Sequence, residues 1–356
     1  MNRNIFKTPS LTMKILAGLF FFAVLISIVY IISNKKNNPL INVVSKQIST
    51  NQILNPLSIQ AMRQKAYPGS AITIEQVLSD TSTYHQYIVS YKSEGLKINA
   101  LLTVPIGEKP KNGWPAIIFN HGYIPPEQYR TTERYVAYVD AFARNGYIVF
   151  KSDYRGNGSS EGNPEGAYYS TAYATDILNA LSSIKKYKDV NANKIGMWGH
   201  SMGGNITLRD LVVNTKDIKA AVIWGGVVGS YNDLLNNWHR RVPFQPSSRE
   251  LAYRNTGRQR IMNKFGTPVQ NPQFWNSIDP TFFVSDITAP IQLDVGGADE
   301  EVPTAFSQEL YSKLKAAGKT AEIYVYPGND HNISQSLNLA LERSVNFFDK
   351  YLKGGE

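Results

Sequence analysis

Cysteine is absent from the 356-residue chain. Its absence excludes disulfides, thiolate metal sites and a cysteine nucleophile. Histidine is scarce: His85, His121, His200, His239 and His331 are the whole supply of imidazole for acid–base chemistry. No His, Asp and Glu cluster has ligand spacing, so no metal is expected. Acidic residues are missing from the first 36 positions, where Arg3, Lys7, Lys14, Lys35 and Lys36 supply five of the nine units of net positive charge. The remainder is close to balanced and carries no dense basic stripe outside residues 240–260, which argues against a nucleic-acid partner. Phosphate-cradling loops are missing too. Gly156, Gly158 and Gly162 are spaced one residue too long for a dinucleotide turn, and Gly318-Lys319-Thr320 lacks the upstream glycine of a P-loop. No cofactor is expected.

What is present begins with an uncharged run, residues 15–34, bounded by Lys14 and by Lys35–Lys36. At helical rise it spans roughly 30 Å, the thickness of a bilayer core. The run is longer than a signal-peptide core and no small-x-small cleavage site follows it, so an uncleaved transmembrane helix is expected. The three basic residues before it place a short tail, 1–14, in the cytoplasm, and the rest of this single-pass protein outside. Residues 35–70, rich in Asn, Gln, Ser and Lys, read as a polar tether with one or two helical turns.

Residues 71–356 read as one catalytic domain; hydrophobic residues make up 42% of the chain, enough for a large core. Alternation over 84–91 and 96–104, interrupted by Ser93-Glu94-Gly95, predicts a hairpin. Short apolar runs at 115–119, 147–151, 194–198, 220–224, 291–295 and 322–326 predict buried strands. Helical spacing fills 130–145, 171–186, 203–213, 304–317 and 334–352 between them. Strands alternating with helices imply an α/β fold, a doubly wound, mostly parallel sheet. Residues 227–285 interrupt the alternation as a helical cap insertion.

The strongest motif is Gly199-His200-Ser201-Met202-Gly203-Gly204, which follows a predicted strand and opens a predicted helix. G-x-S-x-G in that setting is a nucleophile elbow: a sharp turn lifts the serine hydroxyl above the sheet, and the glycines leave room for neighbouring elements. Ser201 needs a base. The fold that carries this elbow orders nucleophile, acid and histidine along the chain, which selects His331 in Tyr326-Pro327-Gly328-Asn329-Asp330-His331. The acid belongs after the preceding strand, and Asp299 is the choice there. Glu300 and Glu301 compete with it, Asp294 lies in the strand body, and Asp330 adjoins the histidine. The oxyanion donors are the Met202 N–H and a group on Asn120-His121-Gly122-Tyr123, either the Tyr123 backbone N–H or its hydroxyl. Asp153-Tyr154-Arg155-Gly156-Asn157-Gly158-Ser159-Ser160 reads as a structural turn with Arg155 buried against a carboxylate.

Assembled in order, NHGY at 120–123, DYRGNGSS at 153–160, KIGMWGHSMGG at 194–204, SIDPTFF at 277–283, GGADEEVP at 296–303 and YPGNDHN at 326–332 give a chain that resembles the prolyl oligopeptidase-like branch of the α/β-hydrolase superfamily. The resemblance covers roughly 84–352. It implies triad roles for Ser201, Asp299 and His331, and activity on peptides or esters. The propeller of the large members and the acidic grip on a substrate amino terminus have no visible counterpart, which argues against strict dipeptidyl-peptidase action.

The expected function is therefore a membrane-anchored serine peptidase on short peptides. The rivals are a carboxylesterase on small acyl or aryl esters and a membrane-tethered binding module with a disused site. The cap carries Trp238, Phe244, Phe274 and Trp275 beside Arg240, Arg241, Arg249, Arg254, Arg258 and Arg260. These form either an aromatic pocket with an anion-attracting rim, or an ordinary lid with aromatics inward and arginines in water.

Overall fold

Alternation of faces along the strands decides the architecture. In β4 (Trp114–Asn120), Ala116 and Ile118 pack into one apolar cluster while Ile117 and Phe119 pack into another. In β7 (Ile218–Trp224), Ala221 and Ile223 go one way, and Ala220, Val222 and Trp224 the other. A strand buried on both faces must be apolar at every position, which is why these segments read as unbroken runs. Each large apolar side chain so buried contributes about 1.5–3 kcal/mol relative to exposure.

The computed structural model describes residues 54–242 and 248–354, with backbone alone for 248–256. The described residues fall within one compact unit that begins at Leu54. The remaining strands are β1 (Thr73–Val77), β2 (Tyr84–Ser93), β3 (Leu96–Pro105), β5 (Ile148–Ser152), β6 (Val190–His200), β8 (Ile291–Gly296) and β9 (Ala321–Tyr326). They form a nine-stranded sheet in the order β1-β2-β3-β5-β4-β6-β7-β8-β9. The first three pairings are antiparallel and everything from β5 to β9 is parallel. The hairpin expected around Glu94-Gly95 is present: Ser93 faces Leu96, and both turn residues have positive φ, 50° and 85°, as a tight two-residue turn requires.

Helices cover both faces. α1 (Ile59–Gln64), α3 (Ala172–Ile184), α4 (Met202–Val213) and α8 (Thr304–Ala316) contribute to one cluster; α2 (Val136–Ala143) and α9 (Leu337–Phe348) contribute to the other. The cap comprises α5 (Tyr231–Asn236), α6 (Ser248–Phe265) and α7 (Pro272–Ile278), followed by a 3-10 turn. It has a small core of its own around Tyr231, Ile261, Phe274, Trp275 and Ile278.

The short helix expected within 35–70 is α1, which packs on the domain: it buries Ile59 and Met62, and Arg63 donates to the Val212 carbonyl at 2.6 Å and pairs with Asp286. The helix expected over 130–145 is confined to α2, because Arg134 and Tyr135 both take left-handed backbone (φ 58° and 55°), which an α-helix cannot contain. β1 was not foreseen; all five of its residues are exposed, so it lacks the apolar signal of a strand. No helix among the described residues is long and apolar enough to cross a membrane. The expected span, 15–34, lies outside them.

Candidate active site

Ser201 sits between the end of β6 and the start of α4 with φ 55° and ψ −117°. A non-glycine residue held there stores about 1–3 kcal/mol of strain. Its backbone is fixed at both ends: the N–H donates to Trp224 O at 2.9 Å, and the carbonyl accepts from Gly204 and Val227 at 3.0 Å each. The flanking glycines answer to crowding. A Cβ on Gly199 would lie 2.3 Å from Thr207 Oγ1, and one on Gly203 would lie 1.9 Å from Asn120 O.

His331 comes from the loop after β9 and Asp299 from the loop after β8. His331 Nδ1 lies 2.7 Å from Asp299 Oδ2, and the carboxylate is fully buried. Asp299 Oδ1 accepts backbone N–H bonds from Glu301 at 2.8 Å and Val302 at 2.9 Å. The competing acids are engaged elsewhere. Glu301 pairs with Arg240, Asp330 accepts from Ser334 and Asn332, and Asp294 accepts from Tyr326 and Gln292 inside β8. Glu300 is exposed. Burial raises the Asp294 carboxyl to a pKa of about 7.

The loop after β4 faces the elbow. His121 is wholly buried between Tyr129 and Tyr154, with ring centroids 4.4 Å away on each side. Burial lowers its pKa to about 3. Its Nδ1 lies 2.7 Å from the Gly122 carbonyl, which can only accept, so Nδ1 carries the proton. The Gly122 carbonyl and the Tyr123 N–H belong to one planar peptide and point opposite ways. Fixing the carbonyl therefore fixes the direction of the Tyr123 N–H. The Met202 N–H is at the first position of α4, among the amides that a helix leaves without an internal partner.

Ser201, His331, Tyr123, Tyr135, Trp238 and Arg240 line a single cleft of about 230 Å³. The cap edge is fastened to the acid loop: Trp238 Nε1 donates to Glu301 O at 2.8 Å and Arg241 N to Glu300 O at 2.9 Å. A larger cavity, about 470 Å³, between Asn163–Thr171 and the cap helix is lined by Arg260 but by none of the candidate triad or oxyanion residues. Among the cap aromatics, Phe274 and Trp275 pack inward and Trp238 faces the cleft, whereas Phe244 lies outside the described residues. Arg258 and Arg260 are exposed. Among the described residues no His, Asp and Glu group is arranged to hold a metal.

One expectation about a neighbour is met, and one neighbour is added. Arg155 is buried against a carboxylate, as read from the sequence: its guanidinium reaches Asp176 at 2.7–3.1 Å and Glu94 at 2.8 Å. Tyr135 was missed as a site residue. It sits in a polar stretch with helical spacing, and only the fold brings its hydroxyl to Gly122 and His200, 2.9 and 2.7 Å away.

The sequence and fold have known counterparts. The family model of the prolyl oligopeptidase family (peptidase S9) matches residues 134–355. The uncharacterized peptidase YtmA of Bacillus subtilis is 26% identical over 262 residues, 73% of this chain and 91% of that protein. Among solved structures, the acylaminoacyl peptidase of Pyrococcus horikoshii superimposes with a TM-score of 0.60 at 23% identity, covering 77% of this chain and 43% of that one. An acetyl xylan esterase from Paenibacillus sp. R4 gives 0.59 at 18% identity, covering 83% and 92%. The chain is a serine hydrolase of α/β-hydrolase fold and belongs to the prolyl oligopeptidase family.

Proposed function

We propose that this hydrolase cleaves short peptides through a Ser201–His331–Asp299 triad. With Nδ1 of His331 donating to Asp299, Nε2 is left as the acceptor and takes the Ser201 proton as Oγ attacks the carbonyl carbon. The Met202 and Tyr123 N–H groups receive the oxyanion. The tetrahedral adduct collapses as His331 returns its proton to the leaving amine. Water, deprotonated by the same imidazole, then releases the acyl group from Ser201. The observation that carries this reading is the 2.7 Å contact of His331 with a buried Asp299, in a cleft that also exposes the strained Ser201. The peptide substrate is supported by the family and by the relative named as a peptidase over nearly its whole length.

The cleft gives a second reading some weight. At about 230 Å³ it falls below the range of about 300–1,000 Å³ usual for ligand sites. That size suits a short acyl ester, and the esterase neighbour is matched across 92% of its length. The uncharged run at 15–34 supports a membrane anchor, with the hydrolase on the outer side.

The test is fluorophosphonate labelling of the full-length chain in detergent, beside Ser201→Ala and His331→Ala. Labelling of the wild type and neither variant is expected; a folded wild type that takes no label ends the hydrolase reading. Short peptides against aryl esters then decide between the two substrates. Extraction of the chain from membranes by carbonate would end the anchor reading.

A further inference from the structure

We infer that Tyr135 and His200 form a one-way hydrogen-bond relay that positions the oxyanion loop and the base loop around Ser201. The inference rests on the hydrolase reading above and deepens it.

The ends of the relay dictate its direction. At one end the Gly122 N–H can only donate, and it donates to Tyr135 Oη at 2.9 Å. The hydroxyl proton is then free to go to His200 Nδ1, 2.7 Å away, which must be unprotonated to accept it. At the other end His200 Nε2 lies 3.1 Å from the carbonyl of His331, which can only accept. His200 therefore carries its proton on Nε2. One tautomer satisfies every group. The ring is 3% exposed, and burial lowers its pKa to about 3, so the neutral form persists.

The hydroxyl of Tyr135 is brought there at a conformational cost. Arg134 and Tyr135 are consecutive left-handed residues. The wholly buried Lys151 ammonium donates to the carbonyls of Glu133 at 3.1 Å and Arg134 at 3.3 Å, which holds that turn. The space around the hydroxyl is full: a Cβ on Gly122 would lie 2.6 Å from Tyr135 Oη, 3.1 Å from His200 Nδ1 and 3.2 Å from Ser201 Cβ.

The relay thus ties together backbone from three loops that the fold supplies separately. It fixes the Gly122 amide, adjacent to the Tyr123 N–H, and the main chain of His331 itself. Tyr135 and His200 take no proton from substrate; they are positioning residues.

The experiment has two readouts on the full-length chain in detergent. The first is the 15N spectrum of histidine-labelled protein, with His200→Gln used for assignment. A pyrrole-type Nε2 and pyridine-type Nδ1 are expected for His200; the opposite tautomer overturns the relay. The second is fluorophosphonate labelling and p-nitrophenyl acetate hydrolysis. Tyr135→Phe is expected to lower kcat by about 10- to 100-fold with little change in KM, the scale of a modest misplacement of reacting groups. His200→Leu should fall as far, the double variant no further, and His200→Gln, whose amide offers an acceptor and a donor, should stay near wild type. Wild-type kcat in a folded Tyr135→Phe overturns the relay alone. A wild type that takes no label overturns the hydrolase reading and the relay with it.

Discussion

The carboxylate of Asp299 divides its two oxygens: Oδ2 lies 2.7 Å from His331 Nδ1, and Oδ1 accepts from the Glu301 and Val302 amides. The acid is thus clamped by its own loop before it meets the imidazole. Since the cap edge binds the same loop through Glu300 and Glu301, the Asp299–His331 geometry and the cap position are set together.

That division predicts the outcome of Asp299→Asn. The two amides require an acceptor, so the asparagine oxygen takes the Oδ1 place and its NH2 faces His331. The imidazole is then forced to accept at Nδ1 and presents Nε2–H to Ser201. A fall in kcat of about 10³–10⁴-fold is expected, with KM and thermal midpoint little changed. Hydrolysis within tenfold of wild type would refute the assignment of Asp299.

Much of this candidate site was legible in the sequence, and the reasons are physical. The elbow requires small residues at fixed offsets, so crowding wrote Gly199 and Gly203 into the chain. Chain order picked out His331 and Asp299, and the structure brings those two into contact. Tyr135 left no such trace, because its place depends on left-handed backbone at 134–135 and on a lysine in a later strand. β1 was invisible because an exposed edge strand needs no apolar face. The short helix of the tether packs on the domain because two buried side chains, Ile59 and Met62, outweigh the polar composition around them.

Gly203→Ala tests the crowding argument. The added methyl meets backbone, Asn120 O at 1.9 Å and Asn120 C at 2.5 Å, with no flexible side chain to yield. The start of α4 and the end of β4 must move apart, at the usual overpacking cost of about 1–3 kcal/mol or more. A lower thermal midpoint and loss of fluorophosphonate labelling are expected together; a stable, normally labelled variant would contradict the packing described.

The Arg155–Asp176 pair predicts a stability defect remote from the chemistry. Asp176 is wholly buried and receives the Arg155 backbone N–H at 2.9 Å besides its guanidinium. Arg155→Met strands a carboxylate in the interior, which costs about 3–5 kcal/mol. Arg155→Lys should recover little of that, since a lysine cannot reach Asp176 in a fork and Glu94 at once. Arg155→Met with Asp176→Leu should recover most of it. Urea unfolding of the three variants measures these differences, and equal stability of the Met and Lys variants with wild type would sink the argument.

Asp294 gives the protein a pH term of unusual sign. Its folded pKa of about 7 stands above the ordinary carboxylate value, because burial outweighs the bonds from Gln292 and Tyr326. Between about pH 4 and 7 the folded chain keeps a proton that the unfolded chain has lost, so this stabilising contribution is complete below pH 4 and gone above pH 7. His121 and His200 act oppositely: with pKa values lowered to about 3, they contribute stability above pH 6.5 that disappears as the pH falls through 3. Asp294→Asn removes only the first term. The amide can still accept from Tyr326, and its NH2 can meet Gln292 Oε1, a buried atom with no partner in the wild type. Relative to wild type, the variant should therefore gain on the order of a few kcal/mol on passing from pH 5 to pH 8. Urea unfolding at both values measures it, and a variant-to-wild-type difference that is the same at pH 5 and pH 8 would show that Asp294 is ionised in the fold throughout.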